Sequence, residues 1–209
     1  MKKGDWWINI KKNRRKIIYS LIFLLLSVAI YASAGDYITD HKGYVSSQDL
    51  ILDNIGPYNL SYIFIYFFIF IMALYFLYPL IYKPDELAYV IAMFSLFVII
   101  RSGFIIFTHL SVPVDAIHVK FPGYLQLLDF SNALFFSGHA GLPFLGFLIY
   151  KKHHKSLSYF MLVSSVILGI TVLLMHVHYS IDVFSAYFIT YGIYKIGNET
   201  FPTILKKIN

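Results

Sequence analysis

The chain has no cysteine, which excludes disulfides, cysteine-ligated zinc and thiol catalysis. Charge is also scarce. Only 13% of the 209 residues are Asp, Glu, Lys or Arg, about half the share in a typical soluble domain. There is no internal repeat and no glycine-rich loop of the kind that cradles nucleotides. What fills the chain is apolar: 58% hydrophobic residues, with 20 Phe and 18 Tyr, and a mean hydropathy of +0.67. This composition excludes a soluble globular protein, a disordered one and a solvated nucleic-acid binder. It predicts an all-α integral membrane protein. The net charge of +6 sits in short loops and tails, where membrane topology needs it, so nucleic acid is not the expected partner.

Six apolar stretches approach the roughly 20 residues that cross a bilayer: 17–34, 60–82, 87–110, 131–150, 157–176 and 179–196. They predict a six-transmembrane-helix bundle over 17–197, between a basic tail at 1–16 and a C-terminal tail at 198–209. The first stretch follows a basic segment, like a signal peptide. Its length predicts a retained helix. Counted on alternate sides of these spans, 14 Lys and Arg fall on one side and 2 on the other. Both termini are therefore expected in the cytoplasm, and the 35–59 and 111–130 loops on the opposite side.

Imidazoles and charges are costly inside a bilayer, so those within spans are functional candidates. They are Arg101, His109, His139, His176, His178 and Asp182. His178 and Asp182 are spaced i, i+4 and share a helix face. A carboxylate there can take one imidazole N–H and leave the other ring nitrogen reactive. His139 follows Ser137-Gly138. Ser is a good N-cap and Gly permits close approach, so a helix is expected to start near Ser137. Its N-terminal amides would favour an anion such as phosphate. At 1.5 Å per residue, His139 lies about 18 Å above Lys151, Arg101 about 22 Å above Glu86, and Asp182 and His178 about 20 and 25 Å above Lys195. Four polar residues on three helices thus reach similar heights, which predicts one buried site open to the non-cytoplasmic side. The competing reading is zinc. No His-x3-His pair exists and no second carboxylate is placed to complete a site, so no metal is expected.

Ser137-Gly138-His139, followed after 38 residues by His178-Tyr179-Ser180-Ile181-Asp182, resembles the type 2 phosphatidic acid phosphatase superfamily. More closely, it is similar to the sphingomyelin synthase branch. The run His176-Val177-His178-Tyr179-Ser180-Ile181-Asp182-Val183, then Ala186-Tyr187 and Thr190, fits that branch. So does Arg101, twelve residues before the Pro that ends Leu110-Ser111-Val112-Pro113. The resemblance covers about residues 98–197. The phosphatases' Lys-x6-Arg-Pro block is absent, with Phe94 seven before Arg101 and Ser102 after it. Asn132-Ala133 stand where the synthases have Gly-Asp, and Ala140 replaces their Thr.

The resemblance implies a membrane-embedded lipid phosphoesterase or phosphotransferase acting through a phosphohistidine, with no cofactor. His178 would be the nucleophile, Asp182 its orienter and His139 the acid and then the base. Arg101, Ser137, Gly138, His176 and Lys120 are the phosphate-binding candidates, with Lys120 and His118 recruiting anionic head groups. The implied substrate is a phospholipid or lipid phosphate, and the acceptor is water or a lipid hydroxyl. The alternative is a transporter or scaffold that keeps the bundle without the chemistry.

Overall fold

The computed structural model describes residues 3–41, 46–121, 123 and 133–207, and among them all regular structure is helical. The helices are α1 (Lys3–Asp40), α2 (Phe68–Tyr82), α3 (Leu87–Phe107), α4 (Gly138–Tyr150), α5 (Lys155–Leu174) and α6 (Ser180–Lys207). A π-helical turn, Ile63–Phe67, leads into α2, and a short 3-10 turn covers Leu52–Asn54. Among the described residues, four segments are long and apolar enough to cross a membrane: Trp6–Asp40, Ile63–Tyr82, Leu87–Phe107 and Lys155–Leu174. Large apolar side chains such as Leu25 (70% exposed) and Phe188 (78%) point outward, as hydrocarbon-facing surface does. The protein is an α-helical membrane protein.

The helix limits differ from the expected spans for local reasons. α1 starts at Lys3, so the basic segment assigned to a tail is helical; no proline interrupts it. α3 stops at Phe107 because Thr108 is extended. The stretch expected from residue 131 is not helical in its described part before Gly138. There Ser137 is extended and caps α4 by accepting the Ala140 N–H. That leaves α4 with 13 residues, about 20 Å of helix. Pro143 lies in its second turn, deeper than a first-turn proline, and removes the N–H that would pair with the His139 carbonyl. α6 runs on through Pro202 to Lys207, past the end of the expected span. Residues 131 and 132 lie outside the described set.

α1 lies along α3, and α4 packs on α5 and α6. Serine hydroxyls on α5 hold α4 in place: Ser165 donates to the Ala140 carbonyl at 2.6 Å and Ser158 to the Phe147 carbonyl at 3.0 Å. Such bonds matter where water offers no alternative. The Tyr150 hydroxyl likewise donates to the Tyr75 carbonyl. Below His139, Gly141 lets α4 approach both neighbours. A Cβ there would sit 2.9 Å from the Phe97 ring on α3 and 2.9 Å from the Thr190 hydroxyl on α6. Gly141→Ala is expected to cost about 1–3 kcal/mol by overpacking, seen as a lower midpoint of thermal unfolding in detergent. Gly103→Ala, where a Cβ meets nothing, should leave the midpoint unchanged or raise it.

Candidate active site

The site begins with the turn between α5 and α6. Asp182 sits in the first turn of α6 and is fully buried. Its Oδ2 accepts the Tyr179 N–H at 3.0 Å, as the third helical residue of a capping box does. The same oxygen lies 3.2 Å from His178 Nδ1. A carboxylate acceptor assigns the proton of neutral His178 to Nδ1, leaving Nε2 unprotonated. One carboxylate therefore starts the helix and fixes the imidazole.

The Ser-Gly-His segment docks on this turn directly. The Ser137 N–H donates to the Asp182 backbone carbonyl at 3.0 Å. Its hydroxyl serves the α4 cap, with Ala140 N at 3.5 Å. His139 follows, buried, its ring centroid 4.1 Å from those of both Phe64 and Phe68. Its Nε2 is buried with no hydrogen-bond partner among the described residues. A nitrogen without a protein partner can take or give a proton.

Arg101 reaches over from α3. Its Nε donates to the Phe136 carbonyl (2.9 Å), Nη2 to the Ala133 carbonyl (2.6 Å) and Nη1 to the Tyr31 hydroxyl (3.3 Å). The guanidinium also lies over the Tyr31 ring. It holds the chain entering α4, and a Cβ on Gly138 would be 3.5 Å from its Nε. Of its five N–H groups, these bonds leave capacity on both terminal nitrogens.

Arg101, Gly138, His139 and His178 all line one cavity of about 450 Å³, a size usual for ligand sites. Residues of the 112–121 loop, among them His118, form another wall. The rest is apolar, from Val28 on α1, Phe68, Ile69 and Met72 on α2, Phe94 and Phe97 on α3, and Leu142 on α4. Met72 lies eight residues inward from Phe64, about 12 Å along the helix. The cavity is thus polar at the histidines and apolar toward the interior.

Not every sequence candidate enters this cavity. Asp182 stands behind His178, and Ser137 serves as cap and tether. Lys120 is exposed and does not line it. His176 does not line it either; its Nε2 is 2.8 Å from the Ile55 carbonyl. His109 stacks near His41, their ring centroids 6.4 Å apart. His154 caps α5, its Nδ1 accepting the Leu157 N–H, and His153 pairs with Glu86 at 3.4 Å. Among the described residues no three His, Asp or Glu side chains converge as metal ligands do. The sequence reading missed Phe64 and Phe68, hidden among many aromatics, and the π-helical turn that carries Phe64. It also missed Asp49, which has no helical spacing to mark it.

The family model PAP2 superfamily C-terminal matches residues 132–199, about a third of the chain, spanning both the Ser-Gly-His and His-x3-Asp segments. The match supports the type 2 phosphatidic acid phosphatase superfamily, a phosphatase type of enzyme with lipid-phosphate substrates. Comparison with curated proteins and with solved structures gives no match.

Asp49 supplies the titration outside the spans. Burial raises its carboxyl, but the Ser180 N–H and hydroxyl and the Leu52 and Ile51 N–H groups together outweigh this and hold it below its ordinary value. A depressed native pKa adds stability that is fully present above the unfolded value, about 3.9. That stability is lost as pH falls below this value and through the native pKa. Thermal unfolding followed from neutral pH down to about pH 3 should show this loss, and Asp49→Asn should flatten it.

Proposed function

We propose that the protein is a membrane-embedded lipid phosphoesterase or phosphotransferase working through a phosphohistidine. One observation carries this reading. A carboxylate-oriented histidine, a second histidine with a ring nitrogen unbonded among the described residues and an arginine border one cavity whose remaining walls are apolar. A phosphate ester with a hydrocarbon chain matches both ends of such a cavity.

In the first step His178 Nε2 attacks phosphorus and the bond from phosphorus to the leaving oxygen breaks. Protonated His139 gives its proton to that oxygen. Asp182 stabilises the imidazolium that His178 becomes, as an orienting carboxylate does. Arg101 and the first amides of α4 offset charge on the phosphoryl oxygens. In the second step neutral His139 takes the proton of water or a lipid hydroxyl. That oxygen attacks phosphorus, the P–N bond breaks and His178 is restored. Water makes the protein a lipid phosphatase or phospholipase C-like hydrolase, and a lipid hydroxyl makes it a head-group transferase like the sphingomyelin synthases. No metal takes part. All six helices cross the bilayer, with α4 completed by the extended residues before it. Both termini are cytoplasmic, as the Lys and Arg distribution favours, and the site opens to the other side.

The test uses purified protein in detergent–lipid micelles. Phosphatidic acid, other lipid phosphates, phosphatidylcholine and phosphatidylethanolamine are offered, each with and without ceramide or diacylglycerol. Phosphate, free head group and new phospholipid are followed together. His178→Ala should lower turnover by about a thousandfold or more, and a chelator should leave it unchanged. Turnover surviving His178→Ala removes this mechanism, and no turnover of any lipid leaves the transporter or scaffold reading. Met72→Trp, which fills the apolar end, should raise KM for long-chain substrates about tenfold and change it less for short-chain ones.

A further inference from the structure

Residues 46–59 carry no recognisable motif, yet they are bonded along the turn that bears His178. The Ser47 N–H donates to the Tyr179 hydroxyl at 3.1 Å, and Asp49 Oδ2 accepts the Ser180 N–H at 2.6 Å. The Ile55 carbonyl meets His176 Nε2 at 2.8 Å, and the Tyr58 N–H donates to the Leu174 carbonyl at 2.7 Å. These bonds reach both flanks of His178. His176 has φ +56°, a left-handed conformation that costs a non-glycine residue energy and persists only where its surroundings hold it.

Asp49 is itself held in place before it meets α6. Its Oδ1 accepts the N–H groups of Ile51 (2.9 Å) and Leu52 (3.2 Å), and its own N–H donates to Asp53 Oδ2 (3.1 Å). Leu52 is buried in one cluster with Tyr179 and Leu134. Two carboxylates therefore grip successive amides at the start of α6: Asp182 takes the Tyr179 N–H and Asp49 takes the Ser180 N–H. These are donors that a helix start leaves unsatisfied. Asp182 alone can pivot with its own helix, whereas Asp49 belongs to a different part of the chain and fixes that helix start from outside.

We propose that residues 47–58 form a fixed strap across the α5–α6 turn, and that Asp49 is a positioning residue that holds His178 and Asp182 in line through the Ser180 N–H. The functional consequence rests on the reaction proposed above; the mechanical one does not. Asp49 touches no substrate. Losing its bond loosens the backbone on which the nucleophile stands and leaves the cavity walls in place.

The experiment compares the full-length wild type with Asp49→Ala and Asp49→Asn in lipid nanodiscs. Hydrogen exchange is read on peptides covering 176–182, with α2 and α5 peptides as internal references, and kcat and KM are measured for phosphatidic acid. In Asp49→Ala, exchange over 176–182 should rise about tenfold, the scale of one lost charged hydrogen bond, with α2 and α5 unchanged. kcat should fall about tenfold with KM within about twofold. Asp49→Asn has one acceptor oxygen for the donors that Oδ1 and Oδ2 share between them, so it should recover only part of both effects. Unchanged exchange over 176–182 in Asp49→Ala overturns the strap. Faster exchange throughout the protein overturns the positioning role, because the carboxylate then serves overall stability. A wild type that turns over none of the lipid phosphates and phospholipids named above removes the proposed reaction, and the exchange result still decides the strap.

Discussion

Two helices of this protein begin at its candidate site, and the unsatisfied N–H groups of those two starts are the constraint around which the site is built. A buried N–H left without a partner is costly. The chain answers with its own acceptors. Asp182 takes the Tyr179 N–H, Asp49 the Ser180 N–H, the Asp182 carbonyl the Ser137 N–H, and the Ser137 hydroxyl the Ala140 N–H. Each bond that completes a helix start also places a residue of the site. Asp182 orients His178, Ser137 presents Gly138 and His139, and the docking of one segment on the other brings the two histidines to one cavity.

Arg101 shows the same economy. Its guanidinium is tied to two carbonyls of the segment entering α4 and to Tyr31 on α1. A partly buried charge without partners would be costly; this one stitches three parts of the bundle together and still lines the cavity. The serine hydroxyls on α5 and the bare Cα of Gly141 set α4 at the depth where His139 meets the stacked rings of Phe64 and Phe68. Below them the apolar walls continue along α2 and α3. A polar end and an apolar end in one cavity are what join phosphate chemistry to a lipid in the proposed function.

The membrane character and most helix locations were legible in the sequence because hydrocarbon demands long apolar runs, and such runs are local. The limits were less so. Basic residues did not stop α1, and α4 is shorter than its apolar stretch because Ser137 is extended. Candidate residues separated by the same logic. His178 with Asp182, and Ser137 with Gly138 and His139, could be grouped because helical spacing and capping are local rules. His176 shared their neighbourhood in sequence, but its left-handed backbone turns it to the Ile55 carbonyl. Lys120 carries a suitable charge but stands exposed and does not line the cavity, though its neighbours Val119 and Phe121 do. Phe64, Phe68 and Asp49 left no trace, since nothing local distinguishes one phenylalanine among many or one carboxylate in a polar loop.

The sequence by itself determined that the chain is a helical membrane protein, that a carboxylate accompanies His178, and that a capped helix begins beside His139. Spacing along a helix and the cost of polar groups in hydrocarbon suffice for all three. Only the tertiary structure decided which buried polar residues share a cavity, which rings flank His139, and that a loop without any motif grips the turn carrying His178. Those outcomes depend on contacts between segments tens to more than a hundred residues apart. Such contacts are set by how the helices pack and by which distant acceptor is left to satisfy each buried donor.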